Sequence, residues 1–305
     1  MGKGLYSVQD PPHVKAPETV SKIYWTFLAS LLPTLLFSFF FFRWDALRIL
    51  GCSISGGMLA ELLGGKLFGR KNALHDGSTI FISVLFALMC APKTPSWIAA
   101  LFGFAGIFLA KEIFGGTGQY VFHPAACAQA MLHSLYGERT VSYMPDHQID
   151  LLSWRSTFEA GGALYSRFEL FLGFGPGMLG ETCVPALMFG AWILILKKLI
   201  HWEIPLIYLG SLFIFSWLMK FDPWISLLSG SAVFTSCYLV TDPVTTPMSR
   251  RGVRSHAFVC ALLVVGMRRW ADYYYVLPFA LLVANLLTPW IDAAMRPKRM
   301  AFAAS

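Results

Sequence analysis

Long apolar runs, each closed by a short basic loop or by proline, constrain this chain more than any other feature. Lipid offers a backbone amide no partner, so a chain of this kind must satisfy its hydrogen bonds within itself. Only 13% of its 305 residues are charged and 56% are hydrophobic. A soluble domain carries about 25% charge. Mean hydropathy is +0.58. These properties predict an all-α, polytopic membrane protein, and 26 Phe with 10 Trp suit lipid-facing and interfacial surface. The net charge of +7 does not argue for nucleic acid, because the basic residues sit between apolar runs, where retention on the cytoplasmic side explains them. The polar start and the length of the first run argue against a cleavable signal peptide. Six scattered cysteines with no CxxC pair give no ligand set for an iron–sulfur cluster within this chain alone and no disulfide framework.

Taken in order, the runs predict about ten transmembrane helices. Residues 1–23 read as a cytoplasmic tail, 24–136 as a first five-helix bundle and 137–179 as an outward loop with a re-entrant connection. Residues 180–293 read as a second five-helix bundle and 294–305 as a cytoplasmic tail. The first two spans, about Tyr24 to Phe42 and Ala46 to Leu63, are separated by a turn at Arg43–Asp45. Two stretches share a layout. Asp76 to Pro95 and Leu228 to Ser249 each carry Gly-Ser, then Phe, an apolar run broken by Pro92 or Pro243, and Thr-Pro. The pattern predicts two inverted repeats, each with an interrupted helix, and such interruptions hold ligands or ions.

Ionisable groups beside apolar runs are costly unless used. Asp76, Glu181 and Asp242 are therefore ion-coupling candidates; helix capping is the plain alternative for the two aspartates, and an interfacial first-turn carboxylate for Glu181. Gly115, Gly116 and Gly118 permit close backbone approach to a ligand. Thr241, Thr245 and Thr246 offer hydroxyls, and Arg250 or Arg254 offers charge. His123 reads as a packed histidine rather than a metal or haem ligand, and no catalytic residue or metal site is expected.

These landmarks together resemble the RnfD/NqrB family: the RnfD component of the Rnf electron-transport complex and the related NqrB component of the sodium-pumping NADH:quinone oxidoreductase. The resemblance rests on Pro12-His13-Val14, His75-Asp76-Gly77-Ser78, and Phe114-Gly-Gly-Thr-Gly-Gln119 with His123-Pro-Ala125. It also rests on Pro176-Gly-Met-Leu-Gly-Glu-Thr182 and Thr241-Asp-Pro-Val-Thr-Thr-Pro247. It implies a flavin-binding electron-transfer subunit of an ion-translocating oxidoreductase in a bacterial or archaeal cytoplasmic membrane, with both termini cytoplasmic. Implied partners are other membrane subunits, including flavin and iron–sulfur proteins, and Na⁺ or H⁺. The implied cofactor is FMN, or riboflavin. Family members attach FMN through an Asp-x-x-Ser/Thr-Gly-Ala-Thr motif. The matching segment here is Asp150-Leu-Leu-Ser153-Trp-Arg-Ser156, with Thr157 one position later. Trp154 and Arg155 replace the small pair and obstruct a modifying enzyme, which leaves non-covalent flavin, a flavin-free scaffold and a cofactor-free transporter as alternatives.

Overall fold

A computed structural model describes residues 19–69, 76–136, 166–174, 177–228, 231–270 and 276–295. Every regular element among them is helical. Helix α1 (Val20–Ser30) is capped by Thr19, whose hydroxyl accepts from the Lys22 amide at 3.3 Å. After Leu31 comes α2 (Leu32–Leu67), with Pro33 in its first turn, where no amide donor is needed. Where a turn is expected at Arg43–Asp45, Arg43 leaves helical geometry with φ 47°, ψ −122°, so α2 consists of two helical stretches that meet at a kink there.

Helix α3 (Ser78–Leu88) comes next, then α4 (Ser96–Ile107), which runs on as a π turn over Phe108–Glu112. A glycine-rich link leads into α5 (Pro124–Tyr136). Beyond it lie α6 (Arg167–Leu172), α7 (Val184–Leu196), α8 (Glu203–Leu218) and α9 (Pro223–Leu228). Helix α10 (Ser231–Phe234) passes into a second π turn, Thr235–Leu239. The chain closes with α11 (Arg250–Met267), packed between α8 and α12, and α12 itself (Val276–Met295).

This architecture corrects the expectation of about ten spans. Among the described residues, two helices are both long and apolar enough to cross a membrane, Leu32–Leu67 and Val276–Met295. A straight span needs about 20 residues. The other apolar runs fold as shorter pieces, such as the 11-residue α3, the 13-residue α7 and the 16-residue α8. Composition suggests spans that length does not support.

The two inverted repeats also fail. Helix α3 is continuous, with Asp76 before its N-terminus. Its supposed counterpart is a four-residue helix and a π turn, with Asp242 beyond their C-terminal end. The two stretches therefore do not fold alike: one is a single 11-residue α-helix, the other a short helix that passes into a π turn.

Helix α3 occupies the centre. Phe81 to Leu88 are all buried, as expected of a helix apolar on every side. Its last carbonyls are taken up by the 177–183 segment. The Gly180 amide donates to Leu88 O at 2.8 Å, and the Leu179 amide to Cys90 O at 3.1 Å. Helices α2 and α4 meet backbone to backbone. A Cβ on Gly56 would come within 2.1 Å of the Ala100 carbonyl oxygen, whereas one on Gly51 would meet nothing within 4 Å.

Gly56→Val should therefore destabilise the protein by about 1–3 kcal/mol through overpacking against backbone, and Gly51→Ala should be near neutral. Thermal unfolding of both variants in the same detergent checks this contrast.

Candidate functional site

Two polar groups, one partly and one fully buried, flank the glycine-rich link. The first surrounds the start of α3. Asp76 Oδ1 accepts from the Ser78 amide at 2.8 Å, an Asx turn that precedes the helix, whose cap position is held by Gly77. Asp76 Oδ2 accepts from the Thr117 hydroxyl at 2.9 Å, and the Ser78 and Thr117 hydroxyls lie 3.0 Å apart. Behind them sits Lys111, fully buried. Its Nζ donates to Ser78 Oγ at 2.8 Å and to Thr79 Oγ1 at 2.7 Å. Thr79 in turn donates to Glu61 Oε2 on α2, which is 3.7 Å from Lys111 Nζ. Glu61 is 2% exposed.

Local backbone produces this arrangement. In the π turn the Ile113 amide reaches back five residues to Phe108 O at 3.1 Å. Neighbours in an α-helix point about 100° apart, and the wider turn lets Lys111 and Glu112 both face inward. Gly115, Gly116 and Gly118 then take φ of 130°, 93° and 87°, in the left-handed region that glycine tolerates. They reverse the chain so that Thr117 faces Asp76 and Tyr120 faces the second group.

That second group is the turn after α10. The Tyr120 hydroxyl donates to Asp242 Oδ1 at 3.1 Å. The Thr245 amide and hydroxyl both donate to Asp242 Oδ2 at 3.2 Å. Tyr24 of α1 hydrogen-bonds Tyr120 and lies within the electrostatic reach of Asp242 and Asp76 alike. Fully buried His123 also lies within reach of the Asp242 charge.

The turn does not fit the phosphate of a flavin nucleotide. A phosphate needs donors, and each threonine has one hydroxyl proton. Thr241 donates to Cys237 O at 2.5 Å, Thr246 to Asp242 O at 2.8 Å, and Thr245 to the Asp242 carboxylate. Arg250 is exposed at the start of α11. Arg254 is held by Glu203 through bonds of 2.6 and 2.9 Å. Ser153, Ser156 and Thr157 lie outside the described residues.

Glu181 stands apart, 4% exposed in the segment that covers the end of α3, with Oε2 making no hydrogen bond among the described residues. Its charge reaches the Cys90 thiol. Sequence reasoning missed Glu61, Lys111, Thr117, Tyr24 and Tyr120. A lysine and two carboxylates set within apolar runs were the available signal; the hydroxyl partners carried none.

The described chain is thus all-helical and membrane-associated, with one half-buried and one buried carboxylate beside a glycine-rich turn. The sequence profile of the NQR2, RnfD, RnfE family matches residues 7–301, and the chain is a member of that family of ion-translocating oxidoreductase subunits. It is 30% identical to the D subunit of the ion-translocating oxidoreductase complex of Methanosarcina acetivorans, over 97% of both chains. It is 28% identical to the D subunit of the proton-translocating ferredoxin:NAD(+) oxidoreductase complex of Clostridium ljungdahlii, over 97% of this chain and 96% of that one. Identity to the D subunit of the Na(+)-translocating ferredoxin:NAD(+) oxidoreductase complex of Acetobacterium woodii is 29%, over 94% and 92%.

Glu181 lies outside both long helices, and burial pushes its carboxyl from 4.5 up to about 8. A raised carboxyl value means that the folded state binds the proton more tightly than the unfolded state. Stability should therefore be greatest below pH 4.5 on this account and fall as pH rises towards about 8. Glu181→Gln should flatten that slope in denaturation experiments run across the interval. An unchanged slope would show that another group carries it.

Proposed function

We propose that this chain is the membrane subunit through which a redox-driven, ion-translocating oxidoreductase complex couples electron transfer to movement of Na⁺ or H⁺. The observation that carries this reading is the glycine-rich link. Within four residues it supplies Thr117 to Asp76 and Tyr120 to Asp242, so one short segment bridges a half-buried carboxylate and a buried one. A displacement of that segment alters the hydrogen bonding of both carboxylates together. Buried ionisable groups of this kind mark ion pathways. Family membership supports the same reading. The partners are the other membrane subunits of such a complex, flavin and iron–sulfur proteins among them, and the membrane is the cytoplasmic one.

Flavin, as FMN or riboflavin, would supply one-electron and two-electron redox steps when bound. Its covalent attachment would fall in the Asp150–Thr157 segment, the match to the family's motif, against which Trp154 and Arg155 stand in place of the small pair. The described residues hold charge. Tyr120 and Thr245 fix the Asp242 carboxylate, and Thr117 fixes that of Asp76.

Asp242→Asn keeps the shape of the side chain and removes its charge. It should reduce ion transport by the assembled complex in proteoliposomes by about tenfold or more, the worth of a lost charge-assisted hydrogen bond. Assembly should be unaffected. Transport at the wild-type rate would remove Asp242 from the pathway.

Intact-mass measurement of the purified chain tests the flavin assignment. An added FMN mass that disappears in Ser156→Ala supports it. Unmodified mass with no extractable flavin would favour a scaffold that has lost its cofactor, the reading to which Trp154 and Arg155 point.

A further inference from the structure

The hydrogen bonds around Lys111 have a direction. From Nζ, one arm runs to Ser78 Oγ at 2.8 Å, on to Thr117 Oγ1 at 3.0 Å, and from that hydroxyl to Asp76 Oδ2 at 2.9 Å. The other runs to Thr79 Oγ1 at 2.7 Å and from that hydroxyl to Glu61 Oε2. Thr117 gives its proton to Asp76, so Ser78 must be the donor in the Ser78–Thr117 bond. Every bond in both arms therefore points away from the ammonium and towards a carboxylate.

The two ends differ. Asp76 and Thr117 are half-buried, beside the exposed Gly118 and Gln119. Glu61 is buried within α2, and its Oε1 has no hydrogen-bond partner among the described residues. Glu112 also faces this region; a Cβ on Gly64, one turn beyond Glu61, would lie 2.7 Å from Glu112 Oε2. A pair needed only for stability gains little from an ion bridge of 3.7 Å in a buried setting. Two unbroken hydroxyl chains ending at surface and interior are the construction that proton transfer requires.

We propose that Lys111 is a proton relay between Asp76 at the surface and Glu61 inside α2. In the inward step, Nζ releases a proton to Thr79 Oγ1 as that hydroxyl passes its own proton to Glu61 Oε2. This leaves a neutral amine and a carboxylic acid. A proton taken from solvent at Asp76 then travels through Thr117 and Ser78, whose hydroxyls reverse their orientation, and restores the ammonium. One proton enters at Asp76 and one resides on Glu61, with no change in the charge of Lys111. The relay needs no redox partner; its use in coupled transport rests on the function proposed above.

The test uses the assembled complex in lipid vesicles and follows the carboxylic-acid C=O band by infrared spectroscopy after a pH jump. A band that shifts in D2O and is absent from Glu61→Gln reports protonation of Glu61. Thr79→Val removes the inner hydroxyl at nearly constant volume and should slow the rise of that band by about a hundredfold, the scale of a lost acid–base group. Thr79→Ser should restore it. Lys111→Arg retains the charge, but a guanidinium does not give up its proton, so the rise should again be slow. Thr117→Val cuts the outer arm at a half-buried position, where folding is little affected, and should also be slow.

Absence of a Glu61 band in the wild type would overturn the proposal. A wild-type rate in Thr79→Val or Lys111→Arg would do the same and reduce the cluster to a structural ion pair. Ion transport measured on the same vesicles separates the two readings: a normal band with no transport supports the relay and sinks the coupling function.

Discussion

The arrangement at the head of α3 depends on one requirement, that a lysine ammonium buried in an apolar bundle be fully solvated by protein. Transfer of such a charge from water costs several kcal/mol even after relaxation. The protein meets that cost with two hydroxyls and a carboxylate drawn from two helices, α3 and α2. To bring Lys111 to them, α4 widens into a π turn in its last five residues. The departure from regular helix is thus a condition for burying the charge. π turns recur at functional sites.

The same π turn sets the path of the chain beyond it. Three glycines with positive φ reverse the backbone directly after the turn, and the reversed segment places Thr117 and Tyr120 against two different aspartates. Asp76 forms an Asx turn ahead of α3, and Asp242 organises the turn after α10. Each accepts a further hydroxyl from the link, which the local turn does not require. The local role and the longer-range one coexist on the same carboxylates, because a carboxylate has more lone-pair sites than one turn consumes.

How much of this was legible in the sequence depends on which signals are carried by residue type. Asp76, Asp242 and Glu181 stand out because charged residues are rare among apolar runs, and Gly115, Gly116 and Gly118 because glycine permits close backbone approach; that they serve to reverse the chain shows only in the fold. The all-helical class and membrane association came from apolar composition. The number of crossings did not, since hydropathy marks a run as apolar without fixing how many of its residues share one uninterrupted helix. The inverted repeat rested on matching letters at matching spacing, and spacing does not reveal whether a run folds as one α-helix or as a short helix with a π turn. Lys111 escaped notice because, beside Glu112 and the glycines, it reads as the polar start of the link and not as part of a buried helical turn. The threonine hydroxyls looked available because a sequence does not show what they donate to; in the folded turn Thr241, Thr245 and Thr246 are already occupied.

Helix α3 has no face turned to solvent or lipid from Phe81 to Leu88, and its C-terminal carbonyls are covered by a separate segment. Opening it means parting α1, α2, α4, α5 and the 177–183 strap from it. In an ensemble of partial unfoldings, a segment enclosed in this way is among the last to lose its amide protection. Ser78 and Thr79, which lie between the ammonium and the two carboxylates, form the first turn of this enclosed helix, while Thr117, the partner of Ser78, sits on a loop built from glycine. The polar cluster joins a fixed half to a compliant one, and the boundary between them runs through the Ser78–Thr117 hydrogen bond.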